Sequence, residues 1–104
     1  MKIAFLFPGQ GSQTLGMGKD IYEKYNIAKQ IYDKVEKITG IDIAKISFED
    51  SEKLNETKYT QLAILTNSLA ILEILKENNI NPLMSAGLSL GEYTALINSR
   101  SILF

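Results

Sequence analysis

A chain of 104 residues with 45% hydrophobic and 22% charged residues has the balance of an ordinary globular protein, sized for one small domain or part of a larger one. Eleven basic residues face twelve acidic ones for a net charge of -1, and Arg100 is the single arginine, so no basic cluster suited to nucleic acid exists. Cysteine and histidine are both absent, which excludes disulfides, thiol chemistry and thiolate metal sites, and removes the commonest general base and metal ligand.

Ile3 to Phe7 is a short apolar run stopped by Pro8-Gly9. A signal peptide needs an apolar core of about 7–15 residues, so this run predicts a strand buried on both faces, as in a parallel sheet. No apolar run approaches the ~20 residues of a membrane span, and a cytoplasmic chain is expected. Pro8-Gly9-Gln10-Gly11-Ser12-Gln13 forms a tight glycine-rich loop. As a nucleotide site it matches only in part: Thr14 stands where G-x-G-x-x-G ends in glycine, and Gly11 and Gly16 have P-loop spacing but Met17 stands where a P-loop needs lysine. A structural turn, or a loop that presents the main-chain N–H of Gln10, remains.

A short helix is predicted near Lys19 to Tyr25. A second carries Ile27, Ile31, Val35 and Ile38 as an apolar stripe, with Gly40 as its stop and Lys29, Asp33 and Lys37 on a solvated face. Asp42 to Lys58 has the least pattern and reads as a connection with a turn of helix. Thr60 is expected to open the longest helix, to about Asn78. Its apolar positions nearly encircle it, so burial on most sides is predicted. Asn81-Pro82 makes a turn, and Leu83 to Ala86 is a second strand. Two strands joined by helical crossovers imply a parallel α/β fold. That inventory is too small for its own apolar faces, so the chain is expected to be the N-terminal part of a larger domain.

Gly87-Leu88-Ser89-Leu90-Gly91 is G-x-S-x-G at a strand-to-helix junction. At such an elbow the serine sits on a sharp turn that pushes its Oγ into the open, and small residues two positions either side let the chain cross itself. The helix that follows aims its free N–H groups at the reacting carbonyl, with the Leu90 N–H as one donor. Ser89-Leu90-Gly91-Glu92 is also a capping box, in which Ser89 merely caps the helix. A plain cap has no need of glycine on both sides, and Gly91 inside a first turn costs about 1 kcal/mol against alanine. Glu92 in that first turn suits the helix dipole better than the work of a catalytic base.

Phe7 to Gln13, Gly16-Met17-Gly18, Tyr59-Thr60-Gln61-Leu62-Ala63 and Ala86 to Tyr93 together resemble the malonyl-CoA:acyl carrier protein transacylases, and acyltransferase domains of polyketide and fatty acid synthases look similar. The resemblance covers essentially the whole chain, with its motifs in family order. It implies an α/β-hydrolase-like large domain with a small ferredoxin-like insert, of which residues 1–104 would be an incomplete N-terminal segment without the insert. It further implies Ser89 as acyl-accepting nucleophile, Gln10 and Leu90 as main-chain oxyanion donors, and Gln61 in the acyl pocket. Coenzyme A thioester is then substrate rather than resident cofactor, no metal is implied, and malonyl-CoA and acyl carrier protein are the partners in fatty acid biosynthesis. Leu88 stands where the family often has a histidine that is not the catalytic one, and Leu62 replaces a common proline. The catalytic histidine and the carboxylate-reading arginine of the family fall beyond Phe104, and Arg100 is too near the elbow to be that arginine. Two rival expectations stand beside this: a non-enzymatic truncated stub that self-associates or pairs with a C-terminal portion, and a fragment of a serine hydrolase or patatin-like lipase.

Overall fold

The computed structural model describes residues 4–80 and 84–87. Strand β1 (Ala4–Phe7) leads through the glycine-rich loop into five helices: α1 (Lys19–Lys24), α2 (Asn26–Thr39), α3 (Ile43–Glu49), α4 (Ser51–Leu54) and α5 (Thr57–Glu77). Strand β2 (Met84–Gly87) then pairs parallel with β1. The two strands and their parallel sense follow the sequence expectation; Leu83 and the predicted helix after Ser89 lie outside the described residues.

α5 is the body on which α2, α3 and α4 pack. Its buried residues, among them Ala63, Ile64, Thr66, Leu69, Ala70 and Leu72, occur round most of its circumference, as its apolar pattern requires. Ala28, Ala63 and Ala70 are all fully buried, and such small side chains let helices approach closely. The aromatic rings of Tyr22, Tyr32 and Phe48 join α1, α2 and α3, with centroids 5.3 to 5.6 Å apart.

Four expectations need correction. The stripe of α2 is rotated: Ala28, Ile31, Tyr32 and Val35 are buried, whereas Ile38 is 67% exposed. Tyr32 was hidden from the sequence pattern by its polar tip, although its ring is the better filler of the helix junction. Ile38→Lys should therefore change stability by no more than about 0.5 kcal/mol in thermal unfolding, as at an ordinary surface position. Second, the poorly patterned stretch 42–58 holds two short helices. Asp42 accepts a hydrogen bond from the Lys45 N–H (3.2 Å), and Asp50 from the Lys53 N–H (3.1 Å), so each helix opens on its own aspartate cap. Third, α5 begins at Thr57 rather than Thr60. Thr60 is buried inside the first turn, and its hydroxyl donates to the Glu56 carbonyl (3.0 Å) and to that of Leu54, tying α4 to α5. Fourth, β1 is not covered on both faces: Phe7 is buried with Phe5 edge-on to it, but Leu6 on the opposite face is 80% exposed.

Candidate functional site

The register of the parallel pair is Ala4↔Met84, Phe5↔Ser85, Leu6↔Ala86 and Phe7↔Gly87. Both strands thus end level, at their carboxyl ends, about 4.8 Å apart. The glycine-rich loop leaves from Phe7 and the G-x-S-x-G run begins at Gly87, on the same edge. Ligands of open α/β sheets bind outside this edge, where loops from neighbouring strands meet.

The loop is built from its glycines. Ser12 closes a four-residue turn, its N–H and its hydroxyl both donating to the Gly9 carbonyl at 3.3 and 2.8 Å. Gly11, the third residue of that turn, has φ +106°, which glycine adopts freely and side-chain-bearing residues do not. Gln10 occupies the second position, exposed at the tip. The Gly11 N–H donates to Gln13 Oε1 (2.8 Å), and Gln13 Nε2 donates to Asn55 Oδ1 (3.1 Å). Gln10 Nε2 reaches Thr57 Oγ1 at 3.5 Å. Further along, the Gly16 N–H donates to the Ser47 carbonyl at 2.8 Å. The loop is therefore laid along the start of α5 and the end of α3 by polar contacts to residues far away in the chain.

Gln61 is exposed on α5, four residues after Thr57 and hence on the same helix face. Gln10 and Gln61 thereby flank Thr57, 51 positions apart in sequence yet on one side of the molecule. Ser89 and Leu90 lie outside the described residues, as do Glu92 and Arg100. Among the described residues the site has main-chain and side-chain donors but no acid–base pair, and no group of three or more side chains able to hold a metal ion.

One feature beside the loop is not legible in the sequence pattern. A groove of about 240 Å³ runs beside β1, lined by Phe5, Phe7, Pro8, Asn67, Ile71 and Leu75 among others. Asn67 stands in the polar triplet Thr66-Asn67-Ser68, the longest break in the apolar run of α5, and that break is the available signal. Near it, burial pushes the Tyr32 phenol well above its ordinary pKa of 10.0, with the neighbouring Tyr22 a smaller contributor. Among the described residues, no helix is long and apolar enough to cross a membrane.

The family model of the acyl transferase domain matches residues 4–103. The malonyl CoA-acyl carrier protein transacylase of Bacillus subtilis (strain 168) is 47% identical over 104 residues, covering 99% of this chain and 33% of the relative. The crystal structure of malonyl CoA-acyl carrier protein transacylase from Clostridium perfringens superposes with a TM-score of 0.93 at 42% identity, over 99% of this chain and 33% of that one. A malonyl-transacylase solved in complex with a type II polyketide synthase acyl-carrier protein superposes with a TM-score of 0.89 at 37% identity, over 94% of this chain and 32% of that one. The chain spans about a third of the length of the curated relatives it matches.

Proposed function

Because the chain belongs to the acyl transferase domain family, we propose that it is the nucleophile-bearing portion of a malonyl-CoA:acyl carrier protein transacylase of fatty acid biosynthesis. In this reading it is an N-terminal segment of an α/β-hydrolase-like large domain, and the small ferredoxin-like domain lies in the two thirds of the relatives that it does not match. The names of the relatives support the substrates, and the solved complex with a carrier protein supports the second partner.

The observation that carries the reading is the level ending of the parallel pair, Phe7 opposite Gly87. Ser89 comes two residues after Gly87 in the sequence. Gln10 is three residues past Phe7, on the adjacent strand. Two loops that leave one sheet edge side by side are what a nucleophile with paired oxyanion donors requires.

The chemistry follows a ping-pong course. Ser89 Oγ attacks the thioester carbonyl of malonyl-CoA while its proton passes to a base. The main-chain N–H groups of Gln10 and Leu90 hold the oxyanion of the tetrahedral intermediate. The C–S bond then breaks, coenzyme A departs with the proton, and malonyl-serine remains. The pantetheine thiol of acyl carrier protein attacks that ester, its proton returns through the same base to Ser89 Oγ, and malonyl leaves on the carrier. Gln61 lines the acyl pocket. The base is a histidine supplied from outside these 104 residues, which contain none.

Intact-mass measurement after incubation with malonyl-CoA tests this. The chain alone should gain no appreciable malonyl adduct. Supplied with the C-terminal two thirds of a transacylase relative, it should gain one, and fragmentation should locate it on Ser89. An adduct mapped to any other residue would refute the assignment of the nucleophile.

A further inference from the structure

Gly18 opens α1 at φ +81° and has no space for a side chain. A Cβ there would overlap the Asn67 amide oxygen and come within 3.0 Å of the Tyr32 hydroxyl. Both of those polar atoms are buried, and neither has a hydrogen-bond partner among the described residues. Tyr32 is only 2% exposed. Two buried, unpaired polar atoms against one glycine are costly unless they are linked, and their chemistry is complementary: a phenol O–H donates and an amide oxygen accepts. Asn67 has a second neighbourhood, since it also lines the groove beside Phe7 and Pro8. A single side chain from the middle of α5 therefore borders both ends of the loop, where it leaves β1 and where it enters α1.

We propose that Asn67, linked to the Tyr32 hydroxyl through one water, is a positioning residue that seats Gly18 and fixes the glycine-rich loop between Pro8 and Gly18. For its catalytic consequence this rests on the transacylase reading, in which that loop carries the Gln10 oxyanion donor. The seat acts on the loop through Gly18 at one end and the Phe7-Pro8 wall at the other. The rest of the loop is already tied down by Gln13 to Asn55 and by Gly16 to Ser47.

Amide hydrogen exchange of the chain tests the seat. The Gly16 and Met17 N–H groups are bonded to the Ser47 and Thr14 carbonyls and report on the loop, while Val35 and Leu72 in α2 and α5 serve as references. Asn67→Ala and Tyr32→Phe should each speed exchange at Gly16 and Met17 about five- to tenfold, the cost of one lost hydrogen bond, with the references unmoved. The double variant should exchange no faster than the worse single one, because the two groups serve one link. Tyr32→Phe removes a single oxygen and keeps the packing, so it remains informative if Asn67→Ala folds poorly. An unlinked hydroxyl predicts the opposite, no change or slower exchange in Tyr32→Phe, and that result would overturn the proposal, as would equal acceleration at the references.

The same substitutions in a complete transacylase carrying this segment should lower kcat about tenfold and leave the KM for malonyl-CoA unchanged. A loosened loop with unaltered transfer would keep the seat and refute the oxyanion role of Gln10. An unloosened loop overturns the seat whatever the transfer rate.

Discussion

Gln10→Pro, made in a complete transacylase carrying this segment, should cut malonyl transfer by roughly 10²–10³-fold without unfolding the loop. In the proposed mechanism the loss follows from deleting one oxyanion donor, because proline has no N–H. The tolerance follows from the turn. Gln10 is the second residue of a turn closed by Ser12 onto Gly9, with Gly11 at positive φ in the third place. That is the arrangement of a type II turn, whose second position favours the fixed φ of proline. The residue before proline is pushed toward extended backbone, and Gly9 adopts that at no steric cost. Gln10→Ala is the matched control. It keeps the N–H and loses only an exposed 3.5 Å contact to Thr57, so transfer should stay within about threefold of the parent. Steady-state transfer assays on the two variants decide the matter: equal losses would mean that the side chain, not the main chain, does the work.

Leu54→Ala should cost about 3–5 kcal/mol, measured by urea unfolding of the chain. Leu54 is 1% exposed at the end of a helix only four residues long, and truncating such a side chain loses both its transfer energy and the space it filled. The site has little freedom to collapse, because the Thr60 hydroxyl grips the Leu54 carbonyl and Asp50 caps the helix before it. Domains of this size have about 5–15 kcal/mol in total, so the loss is a large share of the stability. Glu52→Ala, two residues earlier and exposed, should change it by no more than about 0.5 kcal/mol. Similar midpoints for the two variants would show that α4 does not anchor the core.

The contrast between those residues explains what the sequence could reveal. Periodicity needs length to be read. It announced α5, 21 residues long, and the existence of α2, but α3 and α4 have seven and four residues, less than two full turns each. Their aspartate caps, Asp42 and Asp50, have no apolar pattern behind them long enough to announce a helix. Ile38 was assigned to the core because it fits the spacing of the stripe. Ile38 is next to the last residue of α2, at the edge of a buried face that runs through Ala28, Ile31, Tyr32 and Val35. In the loop, the glycines signalled a tight turn. The bonds from Gln13 to Asn55 and from Gln10 to Thr57 span 42 and 47 positions, and no local pattern encodes them. The proposed nucleophile is the converse case. Ser89 and Leu90 are conspicuous as a motif, and the register of the two strands carries the reading up to Gly87.

That register also sets an order of events during folding. Ala4 pairs with Met84, 80 positions later, whereas α1 to α5 make their contacts within the intervening stretch. Closing so long a segment is entropically slow compared with packing neighbouring helices. During synthesis, β1 emerges before the five helices and must wait for all of them before β2 appears, leaving an unpaired apolar strand edge exposed in the meantime. The helical body forms around that waiting strand, and the edge at which β1 and β2 end is the last part of the described fold to be assembled.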